Sequence, residues 1–189
     1  MRKPLLAKID QLFARQAQVL LAIDGGAASG KTSLAAELRE TYDCNILPMD
    51  HFFLRPEQRT EERLAEPGGN IDYERFQLEV LTPLKAGQAF TYRPFDCKSG
   101  DFGEAIAVLP KKLNIIEGSY SLHPTLGDAY HIKVFLTLLP DEQLRRIALR
   151  DGEVLRKRFE TQWIPMEKRY FFTFDIEKQC DFVFHQRGE

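Results

Sequence analysis

Four residues of this chain have the types and the spacing needed to bind a phosphate group. They are Gly25, Gly30, Lys31 and Thr32, in the pattern G-x-x-x-x-G-K-[ST]. Small residues let the main-chain N–H groups of such a loop point inward around a phosphate. The lysine adds a mobile positive charge for the β- and γ-phosphates, and the threonine hydroxyl is a ligand for Mg²⁺. The alternative is a glycine-rich turn that binds nothing, but such a turn has no use for Lys-Thr at these two positions.

The residues on either side of this motif are those that a phosphate loop requires. Residues 19–23 form an apolar run that predicts a buried strand, and residues 33–40 have helical periodicity. The N-terminus of that helix would point its free N–H groups at the phosphate. We therefore predict a P-loop that binds ATP, formed by Gly25, Gly26, Ala27, Ala28, Ser29, Gly30, Lys31, Thr32 and Ser33.

Two carboxylates follow apolar runs that predict strands. Asp50 comes after residues 45–49, and Glu117 ends the run 113–116. Because ligands collect beyond the carboxyl ends of parallel strands, both should lie near the phosphate loop. Asp50 is the candidate general base for an acceptor hydroxyl, or a Mg²⁺ ligand, and Glu117 is a candidate Mg²⁺ ligand. The alternatives are a loop cap for Asp50 and an exposed strand-end carboxylate for Glu117.

Basic residues are concentrated between positions 145 and 158, namely Arg145, Arg146, Arg150, Arg156, Lys157 and Arg158. Planar guanidinium groups can stabilise the charge that spreads over a phosphoryl group during its transfer. A solvated basic helix face is the alternative for much of this cluster. The four histidines lack metal-ligand spacing, which favours loop or surface roles for them.

Apolar runs alternate with helical patterns along the chain, which predicts an α/β fold with a mostly parallel sheet. Later strands are expected at residues 132–138 and 181–184, and later helices at residues 141–150 and 163–174. Asp72 is the expected N-cap of a helix that ends near residue 85. Residues 89–95 and 105–109 predict a β-hairpin within an excursion that covers about residues 50–110. Residues 1–17 predict an amphipathic helix that packs on the domain.

Length and composition limit the class of protein. The 189 residues fit a single domain, residues 1–189, and a net charge of −2 does not favour nucleic acid as a partner. No apolar run approaches the ~20 residues of a membrane span, and the N-terminus lacks a secretory signal. Cys44, Cys97 and Cys180 are odd in number and far apart, which predicts free thiols and a cytoplasmic location. The oligomeric state stays open, a homo-oligomer included.

Five segments together resemble the uridine kinase branch of the P-loop kinases, which is similar to phosphoribulokinase and bacterial pantothenate kinase. The segments are IDGGAASGKTSLA, MDHFF, GGNIDYERFQLEVLTPLKAGQ, IIEGSY and RRIALRDG. The resemblance covers about residues 19–184. It implies a three-layer α/β/α sandwich like that of nucleoside monophosphate kinases, with a five-stranded parallel sheet and a small projecting β-hairpin.

The resemblance also implies roles for individual residues. Asp50 would match the catalytic aspartate and Glu117 the magnesium-site glutamate, while Asp72 would contact ribose hydroxyls. Phe95 and Asp96 would lie beside the base, and the lid arginines would be Arg146 and Arg150, with a lid at about residues 150–162. Two departures put uridine itself in question. The chain has Lys98-Ser99-Gly100 where uridine kinases carry a histidine that helps to read the pyrimidine, and its lid is shortened.

These features predict a kinase that transfers the γ-phosphate of ATP·Mg²⁺ to a hydroxyl of a small acceptor, with a nucleoside favoured. Lys31, Asp50 and Arg150 are the predicted catalytic residues. A second hypothesis is a non-nucleoside acceptor, such as a pantothenate-like or sugar-phosphate alcohol. A third is a nucleotide-binding switch without catalysis, which would have no use for an acceptor site.

Overall fold

The computed structural model describes residues 2–126 and 129–186. The ends of the predicted domain and positions 127 and 128 lie outside the described residues. The helices are α1 (Lys3–Phe13), α2 (Lys31–Thr41), α3 (Glu61–Ala65), α4 (Tyr73–Phe76), α5 (Thr82–Lys85), α6 (Pro140–Arg158) and α7 (Ile164–Thr173). The strands are β1 (Val19–Gly25), β2 (Cys44–Pro48), β3 (Phe90–Tyr92), β4 (Phe95–Asp96), β5 (Asp101–Phe102), β6 (Ile106–Val108), β7 (Leu113–Glu117), β8 (Ile132–Leu138) and β9 (Phe182–Gln186).

A five-stranded parallel sheet forms the centre of the molecule, in the order β2-β7-β1-β8-β9. This confirms the predicted sheet, whose strands lie within one or two residues of the expected positions. Every residue of β1 is buried, as its apolar sequence predicts for a central strand. In the register of the sheet, Glu117 pairs with both Ile23 and Pro48, so β1, β2 and β7 end side by side.

Helices cover both faces of the sheet, which gives the predicted three layers. On one face, α1 and α2 pack their apolar residues against β1, β7 and β8. On the other face, the segment from α4 to α5 and helix α7 pack against the same strands. The predicted N-terminal amphipathic helix is α1, whose Leu5 and Ile9 are fully buried. Burial of each such side chain contributes about 2 kcal/mol, which holds this helix on the domain.

The excursion between β2 and β7 builds one wall of the site. It opens with a 3₁₀ turn at Met49–Phe52 and continues through α3 to the helix that begins after Asp72. The side chain of Asp72 accepts a hydrogen bond from the N–H of Arg75, which confirms the predicted N-cap. The helix reaches Lys85 through a π-helical segment, Gln77–Leu81. The predicted β-hairpin is also confirmed, because β3 pairs with β6 and β4 pairs with β5, both antiparallel.

The region after β8 is more helical than the sequence patterns predict. Helix α6 extends to Arg158, eight positions beyond the expected end, and a π-helical segment, Phe159–Trp163, joins it to α7. Gly152 interrupts the helical backbone with a φ of 82°. The expected lid, residues 150–162, is therefore an interrupted helix. In the described part of the chain, no helix is both long enough and apolar enough to cross a membrane.

Gly25 is required by the close contact between the end of β1 and β8. Its φ is +141°, and a Cβ atom there would lie 2.1 Å from the carbonyl oxygen of Leu136. We expect Gly25→Ala to lower the free energy of unfolding by several kcal/mol, measured by urea denaturation. The control is Gly87→Ala, whose φ is +65° with no atom within 4 Å of an added Cβ. That variant should lose only about 1–2 kcal/mol. Equal losses of unfolding free energy in the two variants would contradict the assigned clash between a Cβ at position 25 and Leu136.

Candidate active site

The loop between β1 and α2 has the shape of a phosphate cradle. Its backbone turns through positive φ values at Gly25 (141°), Ala28 (58°) and Gly30 (92°), and Gly30 is the N-cap of α2. Glycine adopts positive φ values without the steric cost of a Cβ atom, which suits Gly25 and Gly30, whereas Ala28 adopts one in spite of its Cβ. This geometry agrees with the predicted phosphate loop, and it explains why residues with short side chains occupy most of it.

Polar groups of this loop are left for a ligand. Among the described residues, neither the N–H of Ala28 nor that of Gly30 has a hydrogen-bond partner, and the same is true of the buried Ser29 hydroxyl. The first turn of α2 adds N–H groups that have no partner within the helix. The buried Ser29 hydroxyl costs free energy while it has no partner, and a phosphate is a group that this hydroxyl and the loop N–H groups fit. The residues present therefore fit the phosphates of a nucleotide.

Lys31 lies at the centre of the loop. Its side chain is buried, and its Nζ donates to the carbonyl oxygens of Gly25 and Gly26 at 2.9 Å each and contacts Ser119 Oγ at 3.4 Å. A buried ammonium group needs hydrogen-bond partners to offset the loss of hydration. The loop carbonyls supply these partners, and they hold the positive charge where the phosphates are expected to bind.

Thr32 and Glu117 meet at the edge of the loop, as the sequence predicted. The Thr32 hydroxyl donates to Glu117 Oε1 at 3.2 Å. Burial raises the pKa of Glu117, Lys31 opposes this shift, and the negative charge of Asp50 adds to it. A hydroxyl and carboxylate oxygens are hard ligands of the kind that Mg²⁺ prefers.

These groups fit a magnesium ion that is shared with phosphates. No group of three or more His, Cys, Asp or Glu side chains in residues 2–126 and 129–186 could enclose a metal ion by itself. Mg²⁺ in nucleotide sites is held by one or two protein ligands, substrate phosphates and waters, so a small protein donor set is the expected one.

Asp50 lies beside this pair of residues. It sits in the 3₁₀ turn that follows β2, and its side chain is exposed. Its charge acts on the pKa of both Glu117 and Tyr120, which places the carboxylate on the side of the sheet where β7 ends. Gly118 allows this approach, since a Cβ there would lie 2.8 Å from Met49 Cβ. The convergence of the phosphate loop, Asp50 and Glu117 is therefore observed, while the role of Asp50 as a base stays a prediction.

Asp72 has a defined structural role at the predicted acceptor site. One oxygen caps α4, and the other accepts a hydrogen bond from Gln58 Nε2 at 2.8 Å. The guanidinium of Arg75 lies 3.9 Å from the same Oδ2. Both oxygens are engaged and the side chain is buried. Contact with an acceptor hydroxyl stays a prediction for this residue.

Phe95 and Asp96 are neighbours on hairpin strand β4 but differ in their exposure to solvent. Phe95 is buried, with its ring 5.7 Å edge-on from that of Phe102, whereas Asp96 is exposed and accepts a hydrogen bond from the N–H of Lys98 at 2.8 Å. Phe102, on the strand that pairs with β4, is partly exposed. Sequence reasoning missed Phe102, although its position in the paired strand of the hairpin was a usable signal.

The two predicted lid arginines bind acidic neighbours on their own helix. Arg146 Nε donates to Glu142 at 2.6 Å, and Arg150 Nε donates to Asp151 at 2.9 Å. The guanidinium of Arg150 also lies 5.8 Å from the centroid of the Phe159 ring. Their action on a transferred phosphoryl group stays a prediction, because such surface pairs are weak and can exchange partners.

Several residues at the site were not predicted from the sequence. Asp24 is fully buried and accepts hydrogen bonds from the N–H groups of Tyr120 and Leu122 and from the Tyr170 hydroxyl. A charged residue inside an apolar strand was a signal for Asp24. Glu167 binds the N–H of Ala27 from helix α7, and nothing in its local sequence marks it.

Fold and site together define a class of protein. A parallel sheet carries a phosphate loop after its central strand, with a lysine in the loop and a hydroxyl–carboxylate pair for magnesium at its edge. This is the arrangement of a P-loop nucleotide-binding protein.

Comparison with known proteins identifies the family. A protein from Schizosaccharomyces pombe, whose assignment as a uridine kinase is provisional, is 32% identical over 74% of this chain and 69% of its own length. A uridine kinase from Staphylococcus haemolyticus is 29% identical over 70% of this chain and 68% of its own length. No family model matches the chain. The chain belongs to the uridine kinase-like P-loop kinases, and it is a phosphotransferase.

A solved structure confirms the fold. A protein from Bacillus stearothermophilus, described as a possible uridine kinase, superposes with a TM-score of 0.68 over 96% of this chain and 99% of that one, at 22% identity. The three-layer prediction is thereby confirmed. Membership of a kinase family also disfavours the third hypothesis, a nucleotide switch without catalysis.

Removing the Glu117 carboxylate should weaken magnesium binding. We expect Glu117→Gln to raise the Mg²⁺ concentration that half-saturates nucleotide binding by about 10–100-fold, because the Thr32–Glu117 pair loses its charge. Isothermal titration of ATP at a series of Mg²⁺ concentrations measures this shift. Glu177→Gln, at an exposed glutamate in a 3₁₀ turn before β9, is the matched control and should not change it. An unchanged magnesium requirement in Glu117→Gln would remove this residue from the metal site.

Proposed function

We propose that this protein transfers the γ-phosphoryl group of ATP, with Mg²⁺, to a hydroxyl of a small acceptor, and that a nucleoside is the favoured acceptor. The observation that carries the proposal is the meeting of three groups at one edge of the sheet. These are Lys31 in the loop, the Thr32–Glu117 pair and the exposed Asp50. A cytoplasmic location is part of the proposal and is supported by three free thiols.

Each of these groups has a defined task in the proposal. The free N–H groups of the loop and Lys31 would bind the phosphates, and Thr32 and Glu117 would hold Mg²⁺, which supplies positive charge beside the γ-phosphate when it is bound. Asp50 would accept the proton of the acceptor hydroxyl as that oxygen attacks phosphorus. An exposed carboxylate suits this role, because it can reach a substrate that enters from solvent.

A nucleoside acceptor is supported by the relatives and by the acceptor-side elements. The chain is similar to uridine kinases, and the excursion from Asp50 to the hairpin forms a wall beside Asp50. Within that wall, His51 Nδ1 lies 3.0 Å from the Tyr92 hydroxyl, and Arg75 donates to the carbonyl oxygen of His51 at 2.7 Å. These contacts hold the turn that carries Asp50 against β3 and against the helix that begins after Asp72.

Asp50→Asn tests the proposed base. We expect this variant to bind ATP·Mg²⁺ as well as the parent protein and to lose at least about 100-fold in kcat, because an amide cannot accept the hydroxyl proton. Calorimetry measures the binding, and a coupled ADP-release assay measures the turnover. Asp43→Asn is the control, since Asp43 is exposed at the opposite edge of the sheet, where β2 begins. Unimpaired transfer by Asp50→Asn would refute the assignment of the base.

A second candidate is an acceptor alcohol that carries a negative charge. The guanidinium carbons of Arg55, Arg75 and Arg93 lie 5.9, 5.0 and 5.6 Å from the centroid of the Phe102 ring. Arg59 contacts the carbonyl oxygen of Leu54 and the Cys97 thiol, and no carboxylate of the described residues lies within ion-pair distance of it.

Arg59 and the proposed base, Asp50, both act on the Cys97 thiol. Burial raises the pKa of the Cys97 thiol, Arg59 opposes this shift and Asp50 adds to it. The guanidinium of Arg59 and the carboxylate of Asp50 therefore act on the same group. This position suits the binding of a carboxylate or phosphate on an acceptor whose hydroxyl points at Asp50.

An acceptor panel separates the two candidates. We expect ADP release with uridine, cytidine or adenosine to exceed that with glycerate or pantothenate, and Arg59→Gln to leave nucleoside turnover within about twofold. If the acceptor is anionic, glycerate or pantothenate should exceed the neutral counterparts glycerol and pantothenol. In that case Arg59→Gln should lower kcat/KM about 10-fold or more, because one charge-assisted hydrogen bond is lost. Arg39→Gln, on the exposed end of α2, is the control. Preference for an anionic acceptor would overturn the nucleoside assignment and leave the kinase assignment in place.

A further inference from the structure

Helix α7 contributes a buried carboxylate to the phosphate loop. Glu167 is only 6% exposed, and both of its carboxylate oxygens lie 3.1 Å from the main-chain nitrogen of Ala27. One of them, Oε1, also lies 2.7 Å from Ser119 Oγ, just beyond the end of β7. A carboxylate that is buried away from water needs hydrogen-bond donors to offset the lost hydration. Here the donors are the Ala27 N–H and the Ser119 hydroxyl, which belong to the elements that form the nucleotide site.

Ser119 links this carboxylate to Lys31. Its Oγ lies 3.4 Å from Lys31 Nζ and 3.0 Å from the carbonyl oxygen of Gly25. A hydroxyl has one proton to donate, and the 2.7 Å contact with Glu167 is the shortest that it makes. Ser119 therefore donates to Glu167 and accepts from Lys31. The charge of Glu167 is thereby coupled to the ammonium group at the centre of the loop.

Helices α6 and α7 make two further contacts, one with the phosphate loop and one with the strand that precedes it. Gln143, on α6, donates to the carbonyl oxygen of Ala27 at 3.0 Å, so both main-chain polar groups of Ala27 are fixed from outside the loop. Three residues after Glu167, the Tyr170 hydroxyl donates to Asp24 at 2.8 Å. Residues three apart share one face of a helix, so this face of α7 contacts the chain on both sides of Gly25.

Burial of the Glu167 carboxylate costs free energy that an apolar side chain at this position would not cost. Burial raises its pKa, and the charge of Lys31, the hydroxyl of Ser119 and the N–H of Ala27 oppose that shift. Apolar residues of similar volume often replace buried charges without loss of stability. The specific contribution of the carboxylate is instead geometric, since it turns the Ala27 N–H away from the phosphate side and sets the position of Lys31.

We infer that Glu167 is a positioning residue for the phosphoryl donor. It holds the phosphate loop in its binding shape through Ala27, and it holds Lys31 in place through Ser119. The inference rests on the proposed donor, ATP. Loops that are ordered before binding lose less entropy when the ligand arrives, so the effect of Glu167 should appear in ATP affinity and not in affinity for the acceptor.

Glu167→Gln tests this inference, because glutamine keeps the size of the side chain and removes its charge. We expect the dissociation constant of ATP·Mg²⁺ to rise about 10-fold or more, while the KM of the acceptor changes less than twofold. Calorimetry measures the first quantity and steady-state kinetics the second. The substitution should also raise the rate of amide hydrogen exchange at Ala27 by a larger factor than at the core amides of β1. A general loss of stability would not produce this difference. Glu177→Gln is the matched control for the loss of an exposed glutamate charge.

Ser119→Ala provides a milder second test that leaves the contact between Glu167 and Ala27 in place. It should weaken ATP binding about threefold or more, and its effect should not add to that of Glu167→Gln, because both act through Lys31. If Glu167→Gln does not fold, this variant decides the question.

The outcomes separate this inference from the proposed donor. If the parent protein does not bind ATP, the proposed donor is wrong and the inference fails with it. If the parent protein binds ATP and a folded Glu167→Gln or Ser119→Ala variant binds it equally well, the positioning role is overturned and the proposed function stands.

Discussion

The parallel pairing of β1 with β7 on one side and β8 on the other is the constraint on which this site depends. It brings the phosphate loop, Glu117 and the turn after β2 to one edge of the sheet, although they come from distant parts of the chain. The pairing is close enough at β8 that only glycine fits at position 25. The loop therefore starts from a rigid point, and its N–H groups can converge without help from the ligand.

Buried charge is the second feature that unites the site. Asp24, Glu117 and Glu167 are buried around Lys31, so three carboxylates share one ammonium group. Burial raises the pKa of all three, and the charge of Lys31 opposes the shift in each case. Main-chain N–H groups of the loop and a divalent cation are the groups that can add positive charge for a triphosphate beside these carboxyl groups, and this agrees with a donor set suited to Mg²⁺.

The helical segment from α6 to α7 connects the loop with the region that carries the candidate lid. Ala27 packs against Ile147 and Ile164, and the polar contacts of Gln143 and Glu167 lie beside this apolar cluster. Helix α6, which carries Arg146 and Arg150, and helix α7 thus both pack on the phosphate loop.

Local sequence patterns predicted the sheet, the phosphate loop and the cap at Asp72, and the rule that ligands collect beyond the carboxyl ends of parallel strands predicted the convergence of Asp50 with Glu117. The first three of these features follow from short-range rules, because strand periodicity, glycine positions and N-cap chemistry involve residues close together in the chain. The end of α6 was wrong by eight residues, since Gly152 reads as a stop signal while the helix resumes after it.

The distant side chains that contact the loop became visible only in the folded molecule. Glu167 and Ala27 are 140 positions apart, and Asp24 and Tyr170 are 146 apart. No local pattern relates such residues, because their contact depends on how α7 packs across the end of β1. The contact of the Arg75 guanidinium with the carbonyl oxygen of His51 was hidden for the same reason. A side chain acquires its partner from the packing of elements, and residue types alone do not encode that packing in any short stretch of sequence.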